Sequence, residues 1–330
     1  MPNLSLSLAC HVYDRTRALR DGSIRIEGVD LNFIPLHVTE IFWRMCQYQE
    51  FDAAEMSMGA HMTLTARGEP SFVGVPVFPS RVFRHANIFV GAKSGIERPE
   101  DLRGRRIGVP EYGMTAIIWQ RGILQHEYGV QPEEVVWCTG GQEVPGRKER
   151  VPLRLPASIR VEPIPETATL SGMLCQGGID ALFCAHPPNP FLAGDPRIRR
   201  LFPDYRPVEE EYYRRTGFFP IMHCVVVRRD VYQRSPWVTQ SLFKAFSQAK
   251  AEVERALADN DMLTCMLPWS SYDLDVTRKV MGHDFWPYGI GPNRRNLETM
   301  CQYAHEQGLT PRLVGVDELF APNTAEAWRQ

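Results

Sequence analysis

The sequence predicts a two-lobed α/β fold with a ligand cleft between the lobes, and three observations lead to this prediction. The chain has 330 residues, more than a single hydrophobic core usually serves. Segments typical of buried strands alternate with segments of helical period, which predicts a largely parallel sheet in each lobe. Two further strand-like stretches, 84–91 and 221–230, flank a complete α/β unit and are interpreted as the crossings between lobes. Lobe one is therefore expected at 1–87 and 225–330, and lobe two at 88–224.

Short apolar runs bounded by turn or helix signals predict the buried strands. They lie at 4–10, 105–110 and 179–185. A long amphipathic helix is expected to begin after Ser235 and Pro236, which form a cap and first-turn signal, and to end near Asp259.

Two helix starts in lobe two suit an anion. Thr115 is expected to cap the helix after the strand at 105–110, and Thr167 or Thr169 the helix that ends at Gly177. Because the first N–H groups of a helix are unpaired, those after Thr115 would accommodate a carboxylate.

Composition excludes several classes of protein. The net charge is −2, from 37 basic and 39 acidic residues that are intermixed. The sequence therefore predicts no extended positive potential that would attract a nucleic acid. The sequence contains no run of about 18 apolar residues, so no membrane span is predicted. The first residues lack the features of a signal peptide, which predicts a cytoplasmic protein. The eight cysteines contain no CxxC pair and are expected to be free thiols.

The segment 140–165 mixes charge, proline and short alternation. This pattern predicts a protruding hairpin or a long loop. A lid, a subunit contact and a plain solvated loop all remain open for it.

The densest cluster of candidate functional residues is PSRVFRH, which contains Ser80, Arg81, Arg84 and His85 just before the first crossing. Guanidinium groups at a cleft mouth suit bidentate capture of a carboxylate. At any single position the alternative is a surface charge or a satisfied hinge residue. The cluster as a whole favours binding because of its place at the cleft.

Three more segments place polar side chains at strand ends, where α/β sheets present ligands. CHVYDR supplies His11 with nearby acidic and phenolic groups. A short strand turns into a helix at 52–61, with Glu55, Ser57 and His61 at its exit. A structural ion pair for Glu55 and a helix cap for Ser57 are the alternatives. His186 is expected at a strand end facing the cleft, whereas His223 could face the cleft or the core.

Several common sites are not predicted. The nine histidines show no HExxH and no two-His-one-carboxylate spacing, so no metal site is expected. Dinucleotide, P-loop and GxSxG motifs are also missing from the sequence. Any catalysis is therefore expected to use side chains without a cofactor.

The chain resembles the 4,5-dihydroxyphthalate decarboxylase family, whose fold is similar to that of type II periplasmic binding proteins. The resemblance covers most of the chain, and its more specific segments are SRVFRH and PYGIGPNR. The matching segments are CHVYDRTRALRDG, FPSRVFRHANIFV, YGMTAIIWQRGIL, GGIDALFCAHPP, FFPIMHCVVVRRDVY and FWPYGIGPNRRNLETM.

The resemblance implies loss of one carboxylate from 4,5-dihydroxyphthalate, giving protocatechuate and CO₂ in phthalate catabolism without an organic cofactor. A hydroxyl para to the departing carboxylate pushes electrons toward the carbon that must be protonated, so an acid and a base share the work. The expected roles follow. Arg81, Arg84 and the N–H groups after Thr115 hold the retained carboxylate, His85 or His223 protonates the ring, and Glu55, His11 or Tyr288 binds or deprotonates the catechol. Ser57 and His186 complete the expected substrate-binding set.

Two other functions are compatible with this fold. One is a solute-binding protein that captures a small aromatic carboxylate and performs no chemistry. The other is a related enzyme that transforms a different small acid. A homo-oligomer is expected only by analogy with other soluble enzymes.

Overall fold

The computed structural model describes residues 2–259 and 261–324. The strands in these residues are β1 (Leu4–Cys10), β2 (Val29–Pro35), β3 (Ala53–Ser57), β4 (Phe72–Arg81), β5 (Ile88–Gly91), β6 (Arg106–Val109), β7 (Val136–Thr139), β8 (Arg160–Pro163), β9 (Ala181–Phe183), β10 (Ile198–Arg200) and β11 (Ile221–Arg228). The α-helices are α1 (Arg17–Arg20), α2 (Val38–Tyr48), α3 (Met58–Ala66), α4 (Thr115–Tyr128), α5 (Leu170–Gln176), α6 (Asn189–Leu192), α7 (Tyr205–Thr216), α8 (Arg229–Arg234), α9 (Val238–Ala258), α10 (Ser270–Met281), α11 (Ile290–Glu306) and α12 (Val316–Leu319).

The described chain divides into two compact units. The first comprises residues up to 81, 212–298 and the residues from 314, and the second comprises 82–211 and 299–313. The lobe limits drawn from the sequence stay a prediction. The units differ from them by placing 82–87 and 299–313 with the second unit and 212–224, which contains His223, with the first.

The first unit contains a five-stranded mixed sheet in the order β2-β1-β3-β11-β4. Strand β1 runs parallel to β2 and β3, whereas β11 runs antiparallel to β3 and β4. Apolar side chains of these strands and of α9 form its core, with Leu6, Leu8, Val225 and Phe246 fully buried.

The second unit contains a six-stranded sheet in the order β10-β5-β9-β6-β7-β8. Strands β9, β6, β7 and β8 are parallel neighbours, and β5 is antiparallel to both β9 and β10. Among the described strands, one in each sheet runs against the others, β11 in the first unit and β5 in the second, so the expectation of largely parallel sheets is confirmed. The sequence predicts that two strands run parallel only where a crossover helix joins neighbouring strands of one sheet. Strand β11 instead follows a long stretch of chain that belongs to the second unit, so its direction could not be predicted in this way.

The strands expected at 4–10, 105–110 and 179–185 are confirmed as β1, β6 and β9. The crossing stretches contain β5 and β11. Helix α9 covers the long amphipathic pattern, which confirms that prediction too. In the described residues, no helix combines the length and apolar character needed to cross a bilayer.

The helix caps follow the sequence in one case and depart from it in the other. Thr169 caps α5 by accepting a hydrogen bond from the Gly172 N–H at 3.1 Å, as expected. Thr115 is not a cap, because Met114 has the extended backbone of the N-cap position and Thr115 is the first helical residue. The expected cap was wrong by one residue, and the Met114 side chain makes no capping bond.

Of the two predictions for 140–165, the hairpin was wrong and the long loop is confirmed for 140–159. Strand β8 lies there, but it pairs in parallel with β7, and parallel neighbours cannot be joined by a tight turn. The intervening chain is instead attached to the turn at 111–113. Arg147 and Arg150 bind the buried Glu111 carboxylate, each at 2.6 Å, and Glu149 accepts hydrogen bonds from the N–H groups of Tyr112 and Gly113.

Gly122 sets the packing of α4 in the second unit. A Cβ at this position would overlap the ring of Tyr303, which also stacks on His126 at 4.8 Å between centroids. We expect Gly122→Ala to destabilise the protein by about 1–3 kcal/mol, because an overpacked core must shift. Thermal denaturation checks this, and combining Gly122→Ala with Tyr303→Leu should cost less than the sum of the single changes. An unchanged Tm for Gly122→Ala would contradict the packing described.

Candidate functional site

The first unit brings two predicted site residues together across its sheet. Glu55 lies on β3 and His223 on β11, and the antiparallel register pairs His223 with Ser57 and Val225 with Glu55. Residues directly opposite in an antiparallel pair share a face of the sheet, so Glu55 and His223 are diagonal neighbours on one face. Their side chains meet with a distance of 2.6 Å between His223 Nδ1 and Glu55 Oε1.

The Glu55 carboxylate is fully buried, with 0% exposure. Oε1 accepts from the Tyr13 hydroxyl at 2.7 Å and from His223, while Oε2 accepts from the His11 backbone N–H at 3.0 Å and contacts the Cys10 thiol at 3.6 Å. A buried carboxylate is stable only when its oxygens are satisfied in this way. Glu55 therefore lies at the centre of the site, because each of these four groups contacts its carboxylate.

The protonation states follow from this geometry. Burial would raise the pKa of Glu55, but the hydrogen bonds from His223, Tyr13 and His11 outweigh it and hold the pKa below its ordinary value. Burial, together with the Glu55 charge, raises the pKa of both Tyr13 and Cys10. At neutral pH the centre thus consists of an ionised carboxylate held by protonated donors.

His223 can move a proton at its outer nitrogen. An ionised carboxylate only accepts hydrogen bonds, so Nδ1 of His223 must carry the hydrogen that faces Glu55. Nε2 has no hydrogen-bond partner among residues 2–259 and 261–324, and the side chain is 15% exposed. The Phe42 ring packs edge-on against the imidazole at 4.8 Å and fixes its plane. The arrangement is that of an imidazole oriented by a buried acid.

His11 and Ser57 contribute through the backbone and a helix end. His11 binds Glu55 with its main-chain N–H, while its ring Nδ1 lies 3.3 Å from the Leu36 carbonyl oxygen. Ser57 is the N-cap of α3 and accepts from the Ala60 N–H at 3.4 Å. The roles expected for the His11 ring and the Ser57 hydroxyl in catalysis or binding stay predictions.

Arg81 joins two of the motif segments. It is 4% exposed and donates to the carbonyl oxygens of Phe219 at 3.1 Å and Pro287 at 2.8 Å, and to Asn293 Oδ1. Burial lowers the pKa of Arg81 to about 9. Most of its donors are therefore used within the protein, and its role in holding the substrate carboxylate stays a prediction.

Tyr288 also lies in the first unit, whereas Arg84, His85, Thr115 and His186 lie in the second. Arg84 is 5% exposed and donates to the Ala185 carbonyl oxygen at 3.2 Å, and burial lowers its pKa to about 10. His85 is also buried, with Nδ1 at 3.9 Å from the Glu209 carboxylate, whose pKa burial raises to about 7. These contacts suit a packed hinge segment as well as a ligand site, so the roles of Arg84 and His85 stay predictions.

Thr115 and His186 also belong to the second unit. Thr115 is buried at the start of α4. His186 is exposed, and its Nδ1 lies 3.2 Å from Gln142 Nε2. Their binding roles stay predictions as well.

Sequence analysis gave Tyr13 and Arg15 no role of their own. Both follow β1 in the CHVYDR segment, where Tyr13 reaches Glu55 and Arg15 stacks on the Tyr13 ring at 4.2 Å. The signal that could have found them is the density of polar side chains directly after a buried strand.

Comparisons with known proteins relate this chain to named enzymes. No protein-family model matches the chain. The chain is 39% identical over 329 residues to the 4,5-dihydroxyphthalate decarboxylase of Comamonas testosteroni, covering 100% of both chains. It is 41% identical over 224 residues to the enzyme of the same name from Pseudomonas putida, covering 68% of this chain and 87% of that one.

A solved structure shows the fold. The periplasmic aliphatic sulphonate binding protein of Escherichia coli is similar with a TM-score of 0.54 and 14% identity, covering 98% of this chain and 99% of that chain. The predicted resemblance to periplasmic binding proteins is thereby confirmed for the fold. Likeness at this identity carries no information about activity.

Proposed function

The chain belongs to the 4,5-dihydroxyphthalate decarboxylase family, and from that premise we propose that it converts 4,5-dihydroxyphthalate to protocatechuate and CO₂. The observation that carries the proposal is the buried Glu55 carboxylate bonded to His223 at 2.6 Å. The full-length match to a relative named as a decarboxylase favours this activity over a solute-binding function.

The reaction needs a proton donor for the ring carbon that loses its carboxylate, and it needs a ring that its hydroxyl groups make electron-rich. Deprotonation of the hydroxyl para to the departing carboxylate sends its electrons to the ring carbon that bears this carboxylate. That carbon takes a proton, the bond to the carboxylate breaks, and the electron pair of that bond restores the aromatic ring as CO₂ leaves. The para oxygen regains a proton, so one proton is consumed overall.

His223 is the proposed acid for the ring carbon. Its Nε2 carries the proton that is delivered, while Nδ1–H stays bonded to Glu55. Glu55 acts as a positioning residue, because its oxygens already accept hydrogen bonds from Tyr13, His223 and His11. The ionised carboxylate favours the positive charge of the imidazolium before transfer. Proton transfer of this kind contributes about 10²- to 10⁴-fold in rate, and binding geometry supplies the rest.

The proposed activity is tested by incubating the purified chain with 4,5-dihydroxyphthalate and measuring protocatechuate and CO₂. Phthalate is the matched control, because it carries the two carboxylates without the hydroxyls that donate electrons. We expect turnover of the dihydroxylated compound only. Binding of 4,5-dihydroxyphthalate without product, in metal-stripped protein and again with divalent metal restored, would favour the solute-binding function.

We also propose that the protein acts in the cytoplasm. The eight cysteines, five of them buried, are all free, which suits a reducing compartment. A homo-oligomer stays a prediction.

A further inference from the structure

Arg15 lies beside the Glu55 centre and is held in a fixed plane. Its guanidinium carbon is 4.2 Å from the centroid of the Tyr13 ring and 4.4 Å from that of Trp286. Nε donates to the Pro79 carbonyl oxygen at 2.7 Å. An arginine stacked between two rings and tied at Nε keeps its outer N–H groups in one orientation.

Not all of the N–H groups at the outer edge of this guanidinium donate a hydrogen bond within the described part of the chain. Nη1 donates to Asp14 Oδ1 at 2.9 Å, and the Asp14 side chain is 55% exposed, so this ion pair is weak in water. Nη2 has no hydrogen-bond partner in the part of the chain that the structure describes. The Arg15 side chain is 16% exposed, which leaves it open to a small molecule.

A second group, two residues after Trp286 in the sequence, also lacks a partner in the described part of the chain. The Tyr288 hydroxyl is buried, with 8% exposure of the residue, and finds no hydrogen-bond partner within residues 2–259 and 261–324. Buried hydroxyls nearly always have a partner, so the unpaired Tyr288 hydroxyl has a hydrogen left to donate. Burial raises the pKa of Tyr288, and the positive charges of Arg15 and Arg81 oppose that rise.

We propose that Arg15, with the Tyr288 hydroxyl, binds the carboxylate that the substrate keeps through the reaction. This inference rests on the proposed function, because it assigns one end of the same substrate. Tyr13 connects the two parts of the site, since its ring stacks on Arg15 and its hydroxyl bonds to Glu55. The guanidinium therefore lies over the ring of the same tyrosine whose hydroxyl binds the proton-transfer pair.

Electrostatics support this assignment. The substrate is a dianion, and the ionised Glu55 would repel it unless a positive group faced the carboxylates. Arg15 offers that charge over the Tyr13 ring, in a planar group that matches a carboxylate. Arg81 has a similar charge and an unpaired Nε, but it is only 4% exposed and its other nitrogens donate to Phe219, Pro287 and Asn293.

The test compares two ligands in matched variants. Protocatechuate carries the retained carboxylate, whereas catechol has the hydroxyls and no carboxylate. Calorimetric titration of both into wild-type, Arg15→Gln and Arg229→Gln protein measures each Kd. Arg229 is the matched control because it is also partly buried and its Nε donates to a proline carbonyl, that of Pro70, at 2.5 Å.

Arg15→Gln is expected to raise the Kd for protocatechuate by about 10- to 100-fold, the value of one or two charge-assisted hydrogen bonds. Its Kd for catechol should stay within about twofold, and Arg229→Gln should change neither. Arg15→Lys is expected to fall between wild type and Arg15→Gln, because it keeps the charge and loses the planar pair of donors.

Two outcomes would overturn the assignment. An equal loss of affinity for both ligands would mean that Arg15 acts only by supporting Tyr13, and unchanged protocatechuate binding would mean that the carboxylate lies elsewhere. The proposed function fails separately. A protein that binds protocatechuate through Arg15 but does not turn over 4,5-dihydroxyphthalate retains this subsite and loses the decarboxylase assignment.

Discussion

Replacing Glu55 by glutamine is expected to lower kcat for 4,5-dihydroxyphthalate by about 10²- to 10⁴-fold. Glutamine keeps the shape of the side chain but removes the charge that faces His223 Nδ1 at 2.6 Å. Its amide would also place a donor or a weaker acceptor opposite the N–H of His11 and the hydroxyl of Tyr13. The imidazole then loses both its fixed tautomer and the stabilisation of its protonated form.

The matched control for this change is Asp52→Asn. Asp52 directly precedes β3, the strand that contains Glu55. Like Glu55, it accepts a hydrogen bond from a backbone N–H, that of Ser7 at 2.9 Å, but its side chain bonds to the Ser7 hydroxyl and not to His223. We expect its kcat to stay within about threefold of wild type, because the general acid is untouched. Circular dichroism and a thermal melt show whether each variant is folded. A folded Glu55→Gln protein with near wild-type kcat would remove Glu55 from the mechanism.

The second large effect is expected for His223→Gln, which should also lower kcat by about 10²- to 10⁴-fold. Glutamine can still bond to Glu55 but cannot deliver a proton at neutral pH. Protocatechuate should bind with an unchanged Kd, because the retained carboxylate contacts other groups. Steady-state kinetics and calorimetry separate the two effects.

His61→Gln controls for the loss of a buried histidine. His61 is 2% exposed and its Nε2 lies 2.8 Å from the Leu319 carbonyl oxygen, and burial lowers its pKa. Its replacement is expected to cost stability, about 1–3 kcal/mol for a buried group left unpaired, with little change in kcat. If the two histidine variants lost kcat equally, the loss at position 223 would reflect structure and not proton transfer.

The sequence was sufficient for much of the fold and only part of the site. Strands β1, β6 and β9 and helix α9 follow from local apolar periodicity, which is a property of neighbouring residues. The antiparallel direction of β11 depends on which strands it joins after a long excursion, and no local pattern records that.

The pairing of Glu55 with His223 shows the same limit. Both residues were candidates from the sequence, but they lie 168 residues apart, and only the register of β3 and β11 brings them together. His11 was noticed for its imidazole, whereas the structure uses its backbone N–H. Residue type predicts which chemistry a side chain can do, but it does not tell which of its groups faces the site.

The central claim, that Glu55 and His223 act as one proton-transfer unit, is tested most directly by kcat for the Glu55→Gln/His223→Gln double variant. Residues that act as a unit are not additive, so the double variant is predicted to lose no more than about the larger of the two single losses. A loss equal to the product of the two single losses would contradict the account, because the two residues would then act independently.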